Sequence, residues 1–340
     1  MATATTRPTI AFAMGDPAGI SPELAAKVLA LPEVRSAARL VVFGDRRILD
    51  EGARVAGTKV DVRVVNDETA ASQAQDGPVL VDLRNLAPAE VERGTATLAG
   101  GRFATENFRR ALLAAKAGRA DAVFFTPFNK AAMRMAYPAY DDEIRFINDV
   151  LGEAYPASEF NVLDRLWNAR VTSHVPLSEV ASRITGERIE RALRLTDGCM
   201  RAAGFERPRI GVAGLNPHAG DGGNFGREEI DIIAPAVERA KRDGVAADGP
   251  YPSDTVFLRA KAGQFDAVLT MYHDQGQIAM KLIGFDRGVT MLGGYPFPIC
   301  TPAHGTAYDI AGQGIANVGA AREALLLAIR MAERRALAAA

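Results

Sequence analysis

Cysteine is nearly absent from this chain: Cys199 and Cys300 are the two in 340 residues. Two thiols make at most one bridge, which excludes a disulfide scaffold and suits reduced thiols inside a cell. An excess of one charge is missing too, since 40 Lys+Arg face 41 Asp+Glu for a formal net charge of −1. Without a basic surplus there is little to neutralise a phosphate backbone, so nucleic acid is not an expected partner. No apolar run approaches the roughly 18–20 residues that span a bilayer. The opening MATATTRPTIAFAMGDPAGI lacks a basic start followed by a long apolar core, so no signal peptide is expected. The expectation is a cytoplasmic protein with no membrane partner. What is present is ordinary for a globular chain, with 48% apolar and 24% charged residues. The length suits two domains or one large α/β unit.

Short apolar runs alternate with longer helical stretches. Thr9 to Met14, Leu40 to Phe43, Val62 to Val65, Val79 to Val81 and Ala122 to Phe125 read as strands. So do Arg170 to Thr172, Ile210 to Ala213 and Ala267 to Thr270. Ser21-Pro22-Glu23 gives helix-start signals for a helix through Ala30, with Ser as the cap. Residues 99–118 read as a long helix ended by Gly118. The tail from Ala320 to Ala340 reads as a helix with an apolar stripe of Leu325, Ile329, Ala332 and Ala336, for packing or a subunit contact. Continuous apolar strands alternating with helices imply a largely parallel sheet covered on both faces.

Histidine is scarce, and its placement is informative. His174, His218, His273 and His304 are the four. Each lies at a strand end or in a Gly/Pro-rich turn, and none sits on an amphipathic helix. The carboxyl ends of parallel strands are where α/β proteins place their sites. Any one of the four could be a satisfied core or surface residue; together they point to a shared site. For a divalent metal, zinc, magnesium, manganese, cobalt and nickel all remain open, imidazoles favouring the transition ions over magnesium, and three ligands leave room for substrate. The ligands would have to meet in three dimensions, because they are far apart along the chain. Asp254 and Asp274 read either as carboxylates behind such ligands or as turn and cap residues.

Two glycine-rich segments add to this. Asn216 to Glu229, with Gly222 and Gly223, precedes a helix expected from Ile230, and reads as a plain loop or a ligand cradle. His304-Gly305-Thr306-Ala307-Tyr308-Asp309 through Asn317 resembles the adenine-ribose loop of the isopropylmalate and isocitrate dehydrogenases. That resemblance implies cofactor binding by His304, Gly305, Thr306, Asp309 and Asn317. Asp309 would accept hydrogen bonds from a ribose diol, which favours NAD over NADP.

Taken together, the motifs resemble the 4-hydroxythreonine-4-phosphate dehydrogenase family of vitamin B6 biosynthesis. They run from Gly15-Asp16-Pro17 through Thr126-Pro127, Asn129-Lys130, Thr172-Ser173-His174 and Asn216 to Glu229. They continue through Gly249-Pro250 with Asp254, Tyr272-His273-Asp274-Gln275-Gly276 and Lys281 to His304-Gly305-Thr306-Ala307. The resemblance implies an isocitrate/isopropylmalate dehydrogenase-like α/β fold: two lobes around a cleft, with largely parallel sheets covered by helices. One lobe would comprise residues 1–133 plus 306–340. The other, 134–305, would carry the metal histidines and the dimer contacts. It also implies a homodimer whose divalent metal is held by His174 and His218 of one subunit and His273 of the other. Asp254, Asp274 and Lys281 are then candidates for the base, and Asn129, Lys130 and Lys281 contact substrate. The implied reaction is NAD-dependent oxidation of a secondary alcohol β to a carboxylate, with loss of CO₂ where the carboxylate is correctly placed.

The chain departs from the family pattern at Tyr140 and Asp141, where a His-Thr-Glu cluster is usual, and at Thr290, Ile299 and Ala303. These are expected substrate-contacting positions. Losing a guanidinium and a histidine while gaining acids disfavours a dianion. A paralogue acting on a threonate or erythronate phosphate, or on a cis-dihydrodiol carboxylate, is therefore a second reading. A cofactor-free metal-dependent hydrolase or lyase and a non-catalytic metal-binding or assembly protein are readings of other classes.

Overall fold

The structure is a computed structural model that describes residues 7–73 and 77–339. In chain order its strands are β1 Thr9–Ala13, β2 Arg39–Gly44, β3 Arg63–Val65, β4 Val79–Asp82, β5 Ala122–Phe125 and β6 Ser158–Leu163. They continue with β7 Leu166–Arg170, β8 Ile210–Ala213, β9 Ala247–Tyr251, β10 Ala267–Thr270, β11 Val289–Gly293 and β12 Ile299–Pro302. The chain divides into two compact units, Met1–Ala157 with Tyr295–Ala340, and Ser158–Gly294.

In the first unit the strand order is β3-β4-β2-β1-β5-β12, all parallel. β5 is buried at every position, and β1 and β2 at every position but the first. Strands covered on both faces by helices carry continuous apolar sequence for this reason. Phe108 packs against Phe125, Phe128 and Phe146, with ring centroids 4.7, 5.0 and 5.6 Å away. Each such ring contributes roughly 1.5–3 kcal/mol of burial. The C-terminal helix Gly319–Ala339 buries Leu325, Ile329 and Ala332 but leaves Ala336 exposed. The expected stripe therefore stops one turn short, and Ala340 lies outside the described residues.

In the second unit the order is β11-β6-β7-β10-β8-β9. β6 is antiparallel to both β11 and β7, and the rest are parallel. Its core includes Leu163, Val256, Phe257, Phe265, Val268 and Met280.

The units differ from the lobes expected at 133/134 and 305/306. Helix Glu143–Leu151 delivers Phe146 onto Phe108, which keeps residues 134–157 with the first unit. β12 pairs with β5, which keeps 295–305 there as well. The start of the first helix also differs. Ser21 is not its cap: Ile20 precedes Ser21–Ala30 without a side-chain cap, and the Ser21 hydroxyl donates to the Pro127 carbonyl at 2.7 Å. The long helix is Leu98–Lys116, capped by Thr97, whose hydroxyl accepts from Gly100 N–H.

Candidate active site

Neighbouring parallel strands β7, β10 and β8 end on one edge of the second unit. Each runs into a segment that carries one histidine: His174 after β7, His273 at the start of helix His273–Gly284 after β10, and His218 after β8. The exits are tied together. Val171 N–H donates to Thr270 O at 2.9 Å, and Thr172 sends both its N–H and its hydroxyl to Met271 O. Gln275 accepts from Met271 N–H at 2.7 Å and donates to Gly214 O at 2.8 Å. One amide side chain thus joins the exits of β10 and β8. The sequence displayed Gln275 only as part of a motif; a glutamine two residues beyond a strand-end histidine was the available signal.

The His174 and His273 rings have centroids 5.6 Å apart with planes inclined by 42°. Two imidazoles on one ion, each with a metal–nitrogen bond of about 2.1 Å, hold their ring centres about 5 Å apart, so the pair fits a shared divalent cation. Asp274 Oδ1 lies 2.6 Å from His273 Nδ1. A proton on Nδ1 directed at that carboxylate leaves the Nε2 lone pair free to accept a hydrogen bond or to meet an ion, the orientation an outer carboxylate gives. His174 and His218 both have left-handed backbones, φ 51° and 54°, a region that non-glycine residues occupy at a cost. The His218 ring lies 6.2 Å from Phe225. Among the described residues no group of three or more His, Cys, Asp or Glu side chains gathers closely enough to hold a metal ion. Within one chain the pair brought together is His174 with His273, whereas the resemblance pairs His174 with His218.

Asp254 is exposed in the first turn of Ser253–Lys261, and Lys281 is exposed in the last turn of His273–Gly284. Thr290 is half-buried in β11, opposite Asn161. Gly222 and Gly223 lie in a left-handed turn, not at the mouth of an ordinary helix. The expected helix from Ile230 begins as a π-helical turn, Glu229–Ile233, and becomes α-helical at Ala234–Arg242.

The remaining sequence-predicted residues belong to the first unit. Asn129 caps helix Lys130–Ala136, its side-chain oxygen accepting from Ala132 N–H at 3.0 Å. Lys130 Nζ stands 3.9 Å from Glu143, and exposed Asp141 pairs with Arg145 at 3.0 Å. Tyr140 is 1% exposed, and its hydroxyl is buried without a hydrogen-bond partner. Burial and the adjoining Glu143 carboxylate push its pKa well above the ordinary 10. Ile299 corrects the sequence reading: it is fully buried in β12, paired with Val123 of β5, and is a core side chain with no surface to offer a substrate.

The His304–Asn317 loop is laid against the turn after β1. Ile20 N–H donates to Thr306 O at 3.0 Å, and Glu23, Lys27, Asp16 and Tyr308 fasten the rest. Glu23 Oε1 accepts from Lys27 Nζ at 2.6 Å and from Ala316 N–H at 2.8 Å, while Lys27 also donates to the carbonyls of Gly314 and Ala316. His304 Nδ1 lies 3.0 Å from Gly305 O, so Nδ1 carries the proton, and Nε2 is a buried acceptor with no partner. Burial holds this imidazole below its ordinary pKa, so it is neutral. A bare acceptor at His304 and an exposed carboxylate at Asp309 fit a ligand rich in N–H and O–H donors, as a dinucleotide is. Asp16, Glu23, Lys27 and Tyr308 were not assigned roles from sequence; Glu23 and Lys27 are neighbours on one helix, but their approach to the loop, like that of Asp16 to Tyr308, arises only on folding.

A family model described as "Pyridoxal phosphate biosynthetic protein PdxA" matches residues 36–328. The chain is 64% identical over 335 residues to "Putative 4-hydroxythreonine-4-phosphate dehydrogenase 2" of Rhizobium meliloti, covering 98% of this chain and 96% of that protein. It is 38% identical to "Putative D-threonate 4-phosphate dehydrogenase" of Halalkalibacterium halodurans, covering 96% and 97%. Among solved structures it resembles a 4-hydroxythreonine-4-phosphate dehydrogenase from Klebsiella pneumoniae, with a TM-score of 0.81 and 34% identity over 96% of this chain and 99% of that one. A terephthalate 1,2-cis-dihydrodiol dehydrogenase from Burkholderia xenovorans is similar at TM-score 0.63 and 31% identity, covering 96% and 98%. An α/β chain with a mostly parallel sheet, matched over most of its length by that model and by these dehydrogenases, belongs to the PdxA family.

Proposed function

We propose that this chain is an NAD- and divalent-metal-dependent dehydrogenase that oxidises a secondary alcohol β to a carboxylate on a four-carbon, 4-phosphorylated hydroxy acid. Its family gives the coarse reading, oxidation of a CH–OH group. The observation that carries the finer one is the delivery of three imidazoles by three adjacent strand exits, two of them 5.6 Å apart. The ion would be held by His174, His218 and His273, and a second copy of the chain would complete the set. Leu177, Leu258, Ile278 and Leu282 of this unit are exposed, and Ile278 and Leu282 share the helix that begins at His273. Exposed apolar residues of this kind support a self-association face.

A metal there would polarise the alcohol oxygen, and NAD would accept the hydride leaving carbon. The chain's own task is to position the alcohol and take its proton. Asp274 holds His273 in one tautomer, and Asp254, Asp274 and Lys281 remain candidates for the base. Asp309 and His304 would bind the dinucleotide. Loss of CO₂ from the resulting β-keto acid is the expected sequel.

The relatives' names give two phosphorylated substrates, 4-hydroxythreonine 4-phosphate and D-threonate 4-phosphate. Both carry a phosphate dianion, so the acids at 141–143, of which Asp141 is paired with Arg145, do not choose between them. The test is NADH formation by the zinc-, cobalt- or manganese-loaded protein with both phosphates and a dihydrodiol carboxylate. Turnover of none of them with any ion would refute the reading. Turnover of 4-hydroxythreonine 4-phosphate alone would remove the paralogue.

A further inference from the structure

The segment that carries His218 is built in an uncommon way. Five successive residues, His218 to Gly222, have φ between 44° and 82°, a short left-handed helical turn. Three of them, His218, Ala219 and Asp221, carry a Cβ, which in this region crowds the following carbonyl. Left-handed residues ordinarily occur singly, so a run of them has to be held in place by its surroundings.

The group that fastens the entrance to this turn is Glu229. This residue is 3% exposed, yet its carboxylate is used on both oxygens. Oε1 accepts the backbone N–H groups of Leu215 and Asn216, each at 2.7 Å, and Oε2 accepts Nδ2–H of Asn216 at 2.9 Å. Asn216 also donates to Glu228 Oε2 at 2.7 Å. The fit is close: a Cβ on Gly220 would fall 2.8 Å from Glu229 Oε2, and one on Gly214 would fall 3.1 Å from Oε1. Glu229 also opens the π-helical turn Glu229–Ile233, a geometry that is rare and concentrated at functional sites.

We propose that Glu229 is a positioning residue for His218: by fastening Leu215 and Asn216 it fixes the left-handed turn that presents the imidazole, and so sets the affinity for the metal. The inference rests on the reading of His218 as a metal ligand. Glu229 does not touch the ion in this account. It determines where the turn enters, and the strained backbone then leaves the imidazole few directions to take.

The test uses the full-length protein, its Glu229→Gln and His218→Ala variants, and the double variant, titrated with cobalt(II) alone and read by visible absorption and calorimetry. Glutamine keeps the shape and one oxygen for the two backbone donors, but its NH₂ meets the Asn216 NH₂, donor against donor. Glu229→Gln is expected to weaken cobalt binding about 10- to 100-fold, as losses behind a ligand commonly do. In the His218→Ala background the same change should have no further effect, because the residue it acts through is gone. Wild-type affinity in Glu229→Gln, or an equal loss in both backgrounds, overturns the proposal. No cobalt uptake by the wild type, or His218→Ala binding as tightly as wild type, instead removes His218 as a ligand, and the proposal with it. Should Glu229→Gln fail to fold by circular dichroism, Glu229→Asp, which keeps the charge and shortens the reach, reads the same coupling.

Discussion

The phenol of Tyr308 donates to Oδ2 of Asp16 at 2.5 Å, across 292 residues of sequence. Asp16 is 1% exposed, and its other oxygen accepts from Ala18 N–H at 3.0 Å. The contact fastens the His304–Asn317 loop to the turn that follows β1. Glu23 and Lys27 fasten its far end. A loop proposed to receive a dinucleotide is therefore held at two places before any ligand arrives, which lowers the ordering cost of binding.

Burial raises the Asp16 carboxyl above its ordinary pKa, and the hydrogen bonds from Tyr308 and Ala18 only partly offset this. The folded state thus binds the proton more tightly than the unfolded chain does. The corresponding stability is fully present below the unfolded value of about 3.9 and is lost as pH rises through the raised one. Relative to Asp16→Asn, the unfolding free energy of the wild type should fall as pH increases across that window and then level off. Urea denaturation from pH 4 to 7 checks this, and a difference that grows with pH would contradict the assignment.

How much was legible in advance depended on whether the signal was local. β1, β2, β4 and β5 are continuous apolar runs and could be read directly, as could the long helix ended near Gly118. β6 and β11 could not: Glu159, Asn161 and Thr290 interrupt their apolar runs, although both strands are mostly buried and Asn161 is satisfied inside the fold by Arg170. The histidines stood out by their turns, since Gly and Pro mark strand exits. Glu229 and Tyr308 carry no such mark, and the turns that hold Asp16 and Gln275 do not reveal their partners. A buried carboxylate that fastens a distant backbone looks, in sequence, like any other acid.

His304 should titrate below the ordinary value of about 6.5, because burial disfavours its charged form. A depressed folded value means stability that is present above pH 6.5 and lost as pH falls through the lower midpoint. Proton NMR of the four imidazoles, with His304→Gln to identify its resonance, gives the midpoint. Protonation would also fill the bare Nε2 acceptor, so NAD affinity should fall over the same pH range. A midpoint at or above 6.5 would contradict the buried, neutral assignment.

Ile299 separates a core position from a substrate position. Its side chain is fully buried, and Cys300 beside it in β12 is buried as well. Ile299→Val should cost about 0.5–1.5 kcal/mol of stability and leave KM for the hydroxy acid unchanged. Ile299→Arg would place a guanidinium among apolar strands with no partner to receive it. The expected loss exceeds about 4 kcal/mol, the range of a buried unpaired charge, and would appear as aggregation or a much lower urea midpoint. A stable Ile299→Arg protein with an altered KM would mean that this side chain reaches substrate after all.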